Sequence, residues 1–246
     1  MGCPTGSVSG FAVEVRAVFV SPHLDDAVWS VGSFLAEWGP RATVVTLFAG
    51  SPPGRHVAPL ASELLKKAGL PSTPREALAA RRAEDEQALR LLGCAARHWP
   101  LWDAIFRGPS VCDESQLYRL PTEIENGLAC GLAAALGQAG ASFFVPLGVG
   151  GHVDHRITFR VGRELRKLGL DVSFWADWPY VLHDPPAPPK GLSLREKPTT
   201  VQALAAGQEY RSQVRGLFGS AGEFRKQRMR VHEQVWSCRA PGDLPD

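Results

Sequence analysis

The stretch from Val13 to Leu35 most narrows what this chain can become. Val13 to Val20 begins as an alternation, with Glu14 and Arg16 set between Val13, Val15 and Ala17. It ends in the unbroken apolar run Ala17 to Val20. A strand that enters a parallel sheet and is buried on both faces at its far end reads this way. Beyond a turn, Ala27, Val28, Val31, Phe34 and Leu35 share one helical face. Between strand and helix stands Pro22-His23-Leu24-Asp25-Asp26. In open α/β sheets, ligands bind in such turns, at the carboxyl ends of strands. Two adjacent carboxylates there repel each other unless positive charge lies close. A helix N-terminus contributes up to about 1 kcal/mol. A divalent cation contributes far more, and His with Asp is a good ligand set for zinc. Taken alone, the turn also reads as a capping carboxylate beside a turn histidine.

The pattern recurs downstream. Ser142 to Val145 is a short apolar run, followed by Gly148-Val149-Gly150-Gly151-His152-Val153-Asp154-His155. A helical pattern carrying Ile157, Val161, Leu165 and Leu168 comes next. Parallel strands would bring both turns to one edge of the sheet. His152 and His155 share a face if both lie on the first helical turn. The glycines let backbone approach a ligand. A phosphate-binding glycine loop is the competing reading, but the Lys-Ser/Thr of a P-loop is missing. Simple capping by Asp154 is another.

As a pair, His23-x-Asp25-Asp26 and His152-x-Asp154-His155 resemble the two hallmarks of the LmbE-like, or PIG-L, family of zinc-dependent N-acetylglucosamine deacetylases. The resemblance runs from Val13 to about Trp236. Many members carry Pro and Glu where this chain has Leu24 and Ala27, a departure that bears on the substrate subgroup. The fold implied is α/β: a Rossmann-like, mostly parallel sheet flanked by helices, as a single domain over 13–238. A flexible leader, 1–12, and a tail, 239–246, complete the chain.

The resemblance also implies roles. One zinc per chain is held by His23, Asp26 and His155, with positions left for water and substrate. Asp25 takes a proton from the water and returns it to the departing amine, help worth roughly 10²–10⁴-fold. His152 stabilises or protonates the oxyanion; an additional metal ligand is the alternative. Asp154 hydrogen-bonds His152 and fixes its tautomer, or else orients His155. Arg81, in Arg81-x-x-Glu84, reaches sugar hydroxyls with Glu84 holding it; an i,i+3 surface ion pair is the bland alternative. Asp103 also contacts sugar hydroxyls, and Arg107 is a weaker candidate.

The expected activity is removal of an N-acetyl or N-acyl group from an amino sugar, an N-acetylglucosaminyl conjugate. Leu24, Ala27 and an aromatic-rich rim favour an antibiotic or secondary-metabolite substrate over a thiol-precursor conjugate. Phosphoester hydrolysis would want a second metal and more carboxylates. A non-catalytic sugar- or nucleotide-binding domain would leave six suitably placed His and Asp residues as coincidence.

Composition sets the remaining bounds. With 246 residues, 44% hydrophobic and 21% charged, the chain suits one large core. A net charge of +2 argues for neither nucleic acid nor an anionic membrane. Five cysteines, an odd number without CxxC spacing, read as free thiols in a reducing compartment. Met1 to Gly10 lacks a signal-peptide pattern, and no stretch is apolar enough to span a bilayer. A cytoplasmic location, a small-molecule partner and no membrane anchor follow as expectations; a homo-oligomer stays open.

Other segments read as follows. Ala42 to Phe48 is a strand and Gly50 to Pro59 a loop carrying His56. Thr73-Pro74-Arg75-Glu76 opens a helix to Leu92, stopped by Gly93. His98 to Trp102 is a strand and Ile105 to Leu120 a loop. Ile124, Leu128, Leu132 and Leu136 line a helix. Val172 to Phe174 is a strand leading to Trp175–Tyr180; the resemblance implies an acidic residue and Pro-Tyr near the pocket mouth here, with aromatics that either stack on the substrate or are plain core. Lys197 to Leu217 is one helix, Glu223 to Arg230 a solvated turn, and Val231 to Trp236 packs on the sheet.

Overall fold

The computed structural model describes residues 16–54, 57–108, 113–137 and 140–238. The expected leader and tail, His56, Cys3 and Cys112 lie outside the described residues. The sheet has seven strands in the order β3-β2-β1-β4-β5-β7-β6. β1 (Arg16–Ser21) runs parallel to β2 (Ala42–Thr46) on one side and β4 (Ala141–Pro146) on the other. β2 pairs in parallel with β3 (Ala95–His98), and β4 with β5 (Asp171–Trp175). Only the far edge is antiparallel, where β7 (Glu233–Ser237) joins β5 and β6 (Ser193–Lys197) joins β7. This is the mostly parallel α/β architecture expected.

The order matters for function. The chain leaves β1 for β2 and β3, then returns to β4 on the opposite side of β1. β1 and β4 therefore flank the point where strand order reverses. The loops beyond the carboxyl ends of such a pair diverge and open a crevice. Both histidine turns follow these two strands.

Alternation along β1 explains how the sheet is covered. Ala17 and Phe19 point into one apolar cluster, with α1 (Asp26–Trp38), α3 (Pro74–Leu91) and later helices. Val20 points into the other, with α4 (Glu123–Leu136) and α5 (Val153–Lys167). Phe19 stacks on Phe144 of β4 at 4.4 Å, which ties the two central strands together face by face.

Several expectations are corrected. α2 (Pro59–Ala68) occupies part of a region with no assigned helix, opening on Pro59 and closing on left-handed Gly69. β3 lies at Ala95–His98, earlier than His98–Trp102. Pro100 and Trp102 make only isolated bridges, to Phe48 and Gly50; proline lacks the N–H a ladder needs. Ile124 is 86% exposed and Leu168 is 61% exposed. The buried face of α4 instead carries Ala129, Leu132, Ala133 and Leu136, and α5 ends before Leu168. The single helix over Lys197–Leu217 is two, α6 (Val201–Gln208) and α7 (Arg211–Phe218), broken at Tyr210. Lys197 itself closes β6. The supposed solvated turn is largely α8 (Ala221–Arg228). Among the described residues no helix is long and apolar enough to cross a membrane.

Candidate active site

The β1 turn is held by its own side chains. Asp26 Oδ2 accepts the His23 backbone N–H at 2.8 Å, and Ser21 Oγ donates to the His23 carbonyl at 2.7 Å. This curls His23 and Asp26 toward each other at the start of α1. On the neighbouring strand, the glycine turn brings His152 to the N-cap of α5 and His155 onto its first turn. Gly150 sits at φ 78°, and a Cβ there would lie 2.3 Å from the Tyr180 ring, so a side chain has neither conformation nor space.

The two turns meet. Asp26 Oδ2 lies 3.2 Å from His23 Nδ1 and 3.3 Å from His155 Nε2. The ligand atoms of His23, Asp26 and His155 all fall within 4.8 Å of one another, a spacing that can hold a metal ion. A second such group, His23, Asp103, His152 and Asp154, shares His23 with the first. His155 supplies the sharper test of fit. Its Nδ1 pairs with Asp177 Oδ1 at 2.6 Å, while Nε2 is buried without a hydrogen-bond partner. A carboxylate accepts a proton, so a hydrogen belongs on Nδ1, and Nε2, beside Asp26, is the nitrogen that would give its lone pair to a cation in exchange for its own proton. A carboxylate on the far nitrogen is the usual partner of a metal-ligating histidine. Five carboxylates are buried here: Asp25, Asp103 and Asp154 meet Arg81 or Arg107, while Asp26 and Asp177 meet histidines. The donor set suits a divalent cation.

Asp154 has partners other than those expected. Its Oδ2 lies 3.0 Å from His23 Nε2 and accepts the Ala104 N–H at 2.9 Å, and its Oδ1 meets Arg107 Nη1 at 2.5 Å. Its carboxylate therefore steadies His23, while Asp177 takes the orienting place at His155. Sequence reasoning put an acidic residue of that segment near the pocket mouth; Asp177 lies instead fully buried behind the histidine. The His152 tautomer is set by backbone, since the Asp154 N–H donates to His152 Nδ1 at 3.2 Å. An N–H can only donate, so the His152 proton sits on Nε2.

Charge states follow from these neighbours. Burial and the adjacent Asp26 push the Asp25 carboxyl up to about 7, against the pull of Arg81. Burial and the nearby His23 push His152 down to about 4, which keeps it a neutral donor. Burial disfavours charge on His155, but Asp26 and Asp177 outweigh it and raise that imidazole to about 9.

Arg81 projects from α3 toward the site, with Nη2 3.5 Å from Asp25 and Nη1 3.8 Å from Asp103. Glu84 does not hold it; that carboxylate accepts the Ser212 N–H at 2.9 Å and hydroxyl at 2.6 Å. Asp103 also caps the 3₁₀ turn that follows it, accepting the Ile105 N–H at 3.1 Å. Arg107 lies behind the site, between Asp154 and the Phe48 ring. Trp175 and Trp178 are core residues, and Tyr180 is the aromatic of this segment that lines the cleft.

A cleft of about 320 Å³ opens over these residues. His23, Asp25, Asp26, Arg81, Asp103 and His152 form its polar side. Leu64 and Leu65 of α2, Leu117, Leu217 and Tyr118 form an apolar wall opposite. Tyr118 and Tyr180 approach edge to face at 6.4 Å, and Tyr180 packs on His155 at 5.2 Å.

Residues 18–165 match the family model described as PIG-L, GlcNAc-PI de-N-acetylase. The chain is 31% identical over 238 residues to 2'-N-acetylparomamine deacetylase of Niallia circulans, covering 84% of this chain and 83% of that protein. It superposes on the crystal structure of a deacetylase from the teicoplanin biosynthesis pathway with a TM-score of 0.75. That match has 25% identity and covers 90% of this chain and 97% of the other. The zinc-inhibited form of a teicoplanin deacetylase gives a TM-score of 0.73 at 25% identity, covering 90% and 97%.

Proposed function

The chain belongs to the PIG-L family, and from that premise we propose that it is a zinc-dependent deacetylase acting on an N-acetylglucosaminyl conjugate of the kind made in antibiotic biosynthesis. One observation carries the reading. His23, Asp26 and His155 converge from two distant turns, with Asp25 buried beside them and not part of the ligand group.

His23, Asp26 and His155 would hold the zinc, a His₂/carboxylate set that leaves positions open. Bound there, zinc lowers the pKa of a water towards about 7 and polarises a carbonyl oxygen. Asp25 takes up a proton on its carboxylate and returns it to the amine nitrogen as the amide bond breaks. A carboxyl group near 7 suits both directions of that transfer. His152 points its Nε2–H into the cleft as a neutral donor for the oxygen that gains charge. Asp154 and Asp177 hold the rings of His23 and His155 in place. Arg81 and Asp103 bind sugar hydroxyls at the cleft's polar side, and the leucine wall receives the rest of the conjugate.

Acetate release from a panel of N-acetylglucosaminyl conjugates tests this, run on wild type and Asp25→Asn with metal content measured on both. Asp25→Asn is expected to keep its metal and lose at least about 10²-fold in turnover. Wild-type turnover in that variant would remove Asp25 from the role.

A further inference from the structure

A second cavity, of about 520 Å³, lies on the other side of the N-terminal half of α3 from the catalytic cleft. Its walls are the loop after β2, from Ala49 to Gly54, the residues His98 to Pro100 after β3, and Arg75 and Arg82 of α3. We propose that this cavity is a binding site for an oxyanion, the phosphate or carboxylate of a small molecule, separate from the site of hydrolysis.

The argument begins with the helix. Arg75 and Arg82 are seven residues apart, two turns, so they project from one face of α3. Arg81 is rotated by about 100° and faces the catalytic cleft instead. The two adjacent arginines thus serve different cavities. Arg81 has Asp25 and Asp103 as counter-charges. Among the described residues, the Arg82 side chain has no ion pair and no hydrogen bond, and its Nε is closed off from solvent without an acceptor.

The lining has one sign of charge. No Asp or Glu is among the cavity's described lining residues, against five carboxylates at the catalytic site. Asp85 of α3, which reaches the His98 wall, is already engaged. It meets His98 Nε2 at 2.8 Å and accepts the Tyr210 hydroxyl at 2.7 Å. His98 is thereby fixed as a wall of the cavity. Ser51 lines the same cavity, its hydroxyl donating to the Pro52 carbonyl at 3.2 Å, and half-buried Trp99 with Pro100 offers an apolar surface to whatever carries the anion. Guanidinium groups bind planar or tetrahedral oxyanions through paired N–H donors. Gly50 keeps the two loops together: a Cβ there would lie 2.2 Å from the Pro100 carbonyl oxygen.

Equilibrium binding of inorganic phosphate and of malonate to the metal-loaded protein tests the site, on wild type, Arg82→Gln and Ser51→Asp. Acetate release from an uncharged N-acetylglucosaminyl conjugate is followed on each. One probe is expected to bind wild type with an affinity that falls tenfold or more in both variants, while acetate release stays within about twofold. Tighter phosphate than malonate names a phosphorylated ligand, and the reverse a carboxylated one. Equal affinity of both variants and wild type for both probes would overturn the site. So would a parallel fall in acetate release, which would place the anion in the catalytic cleft. Ser51→Asp lies on a partly exposed loop, so the test does not depend on how Arg82→Gln folds.

Discussion

Asp177 occupies Nδ1 of His155, which leaves Nε2, beside Asp26, as the nitrogen that would ligate a metal. Removing that partner should loosen the metal without removing a ligand. Asp177→Asn is expected to weaken zinc affinity by about 10–100-fold, read by competition with a chromogenic chelator; unchanged affinity would detach Asp177 from the site. His155→Ala should purify with little or no metal by elemental analysis. His152→Ala separates the two readings of that residue. A variant that keeps its metal and loses about 10²–10³ in turnover marks a donor to the developing oxyanion. A metal-free variant marks a ligand. At this scale the sequence was informative about identity and poor about partners. The His-x-Asp-Asp and His-x-Asp-His spacings named the residues that converge. No spacing could show that the Asp154 carboxylate turns to His23, 131 positions away, or that a backbone N–H sets the His152 tautomer.

Among the elements, α8 shows what periodicity alone conceals. Glu223 to Arg230 is charge-rich, yet Arg228 is 2% exposed. Its Nε donates to the Trp29 carbonyl at 2.6 Å, and its Nη2 meets Glu233 Oε1 at 3.2 Å. Glu233 in turn accepts the Ser33 N–H at 2.9 Å and hydroxyl at 2.8 Å. This buried pair clamps α8 and β7 onto α1, the helix whose first residue is Asp26. Glu233→Ala leaves a buried guanidinium unpaired and is expected to cost about 3–5 kcal/mol in denaturant unfolding. A cost under about 1 kcal/mol would mean that the pair contributes no such clamp. A charged run reads as solvated because most are; only the partner on β7, joined through tertiary packing, reverses that. α2 had legible punctuation, Pro59 before Leu60, Ala61 and Leu65 and Gly69 after. Its short length hid it among the loop residues. α1, α3 and the central strands were legible because burial on both faces or on one stripe leaves a strong period.

On the scale of the whole molecule, the strand order brings two turns from opposite ends of the family domain to one crevice. A metal there would link the loop after β1 to the loop after β4, the two sides of the point where the sheet reverses. Binding should stabilise the folded chain, by about 2.7 kcal/mol at a free metal concentration a hundred times Kd. The thermal midpoint should therefore rise on adding zinc to stripped protein, and rise less in His155→Ala. The central claim is that one ion, caged by both turns, is required for amide hydrolysis. The direct measurement is acetate release from an N-acetylglucosaminyl conjugate before chelation, after chelation, and after stoichiometric zinc is returned. One metal per chain, loss of activity on stripping and its recovery on return are the predicted results. A stripped, folded protein that releases acetate at the original rate would contradict the account.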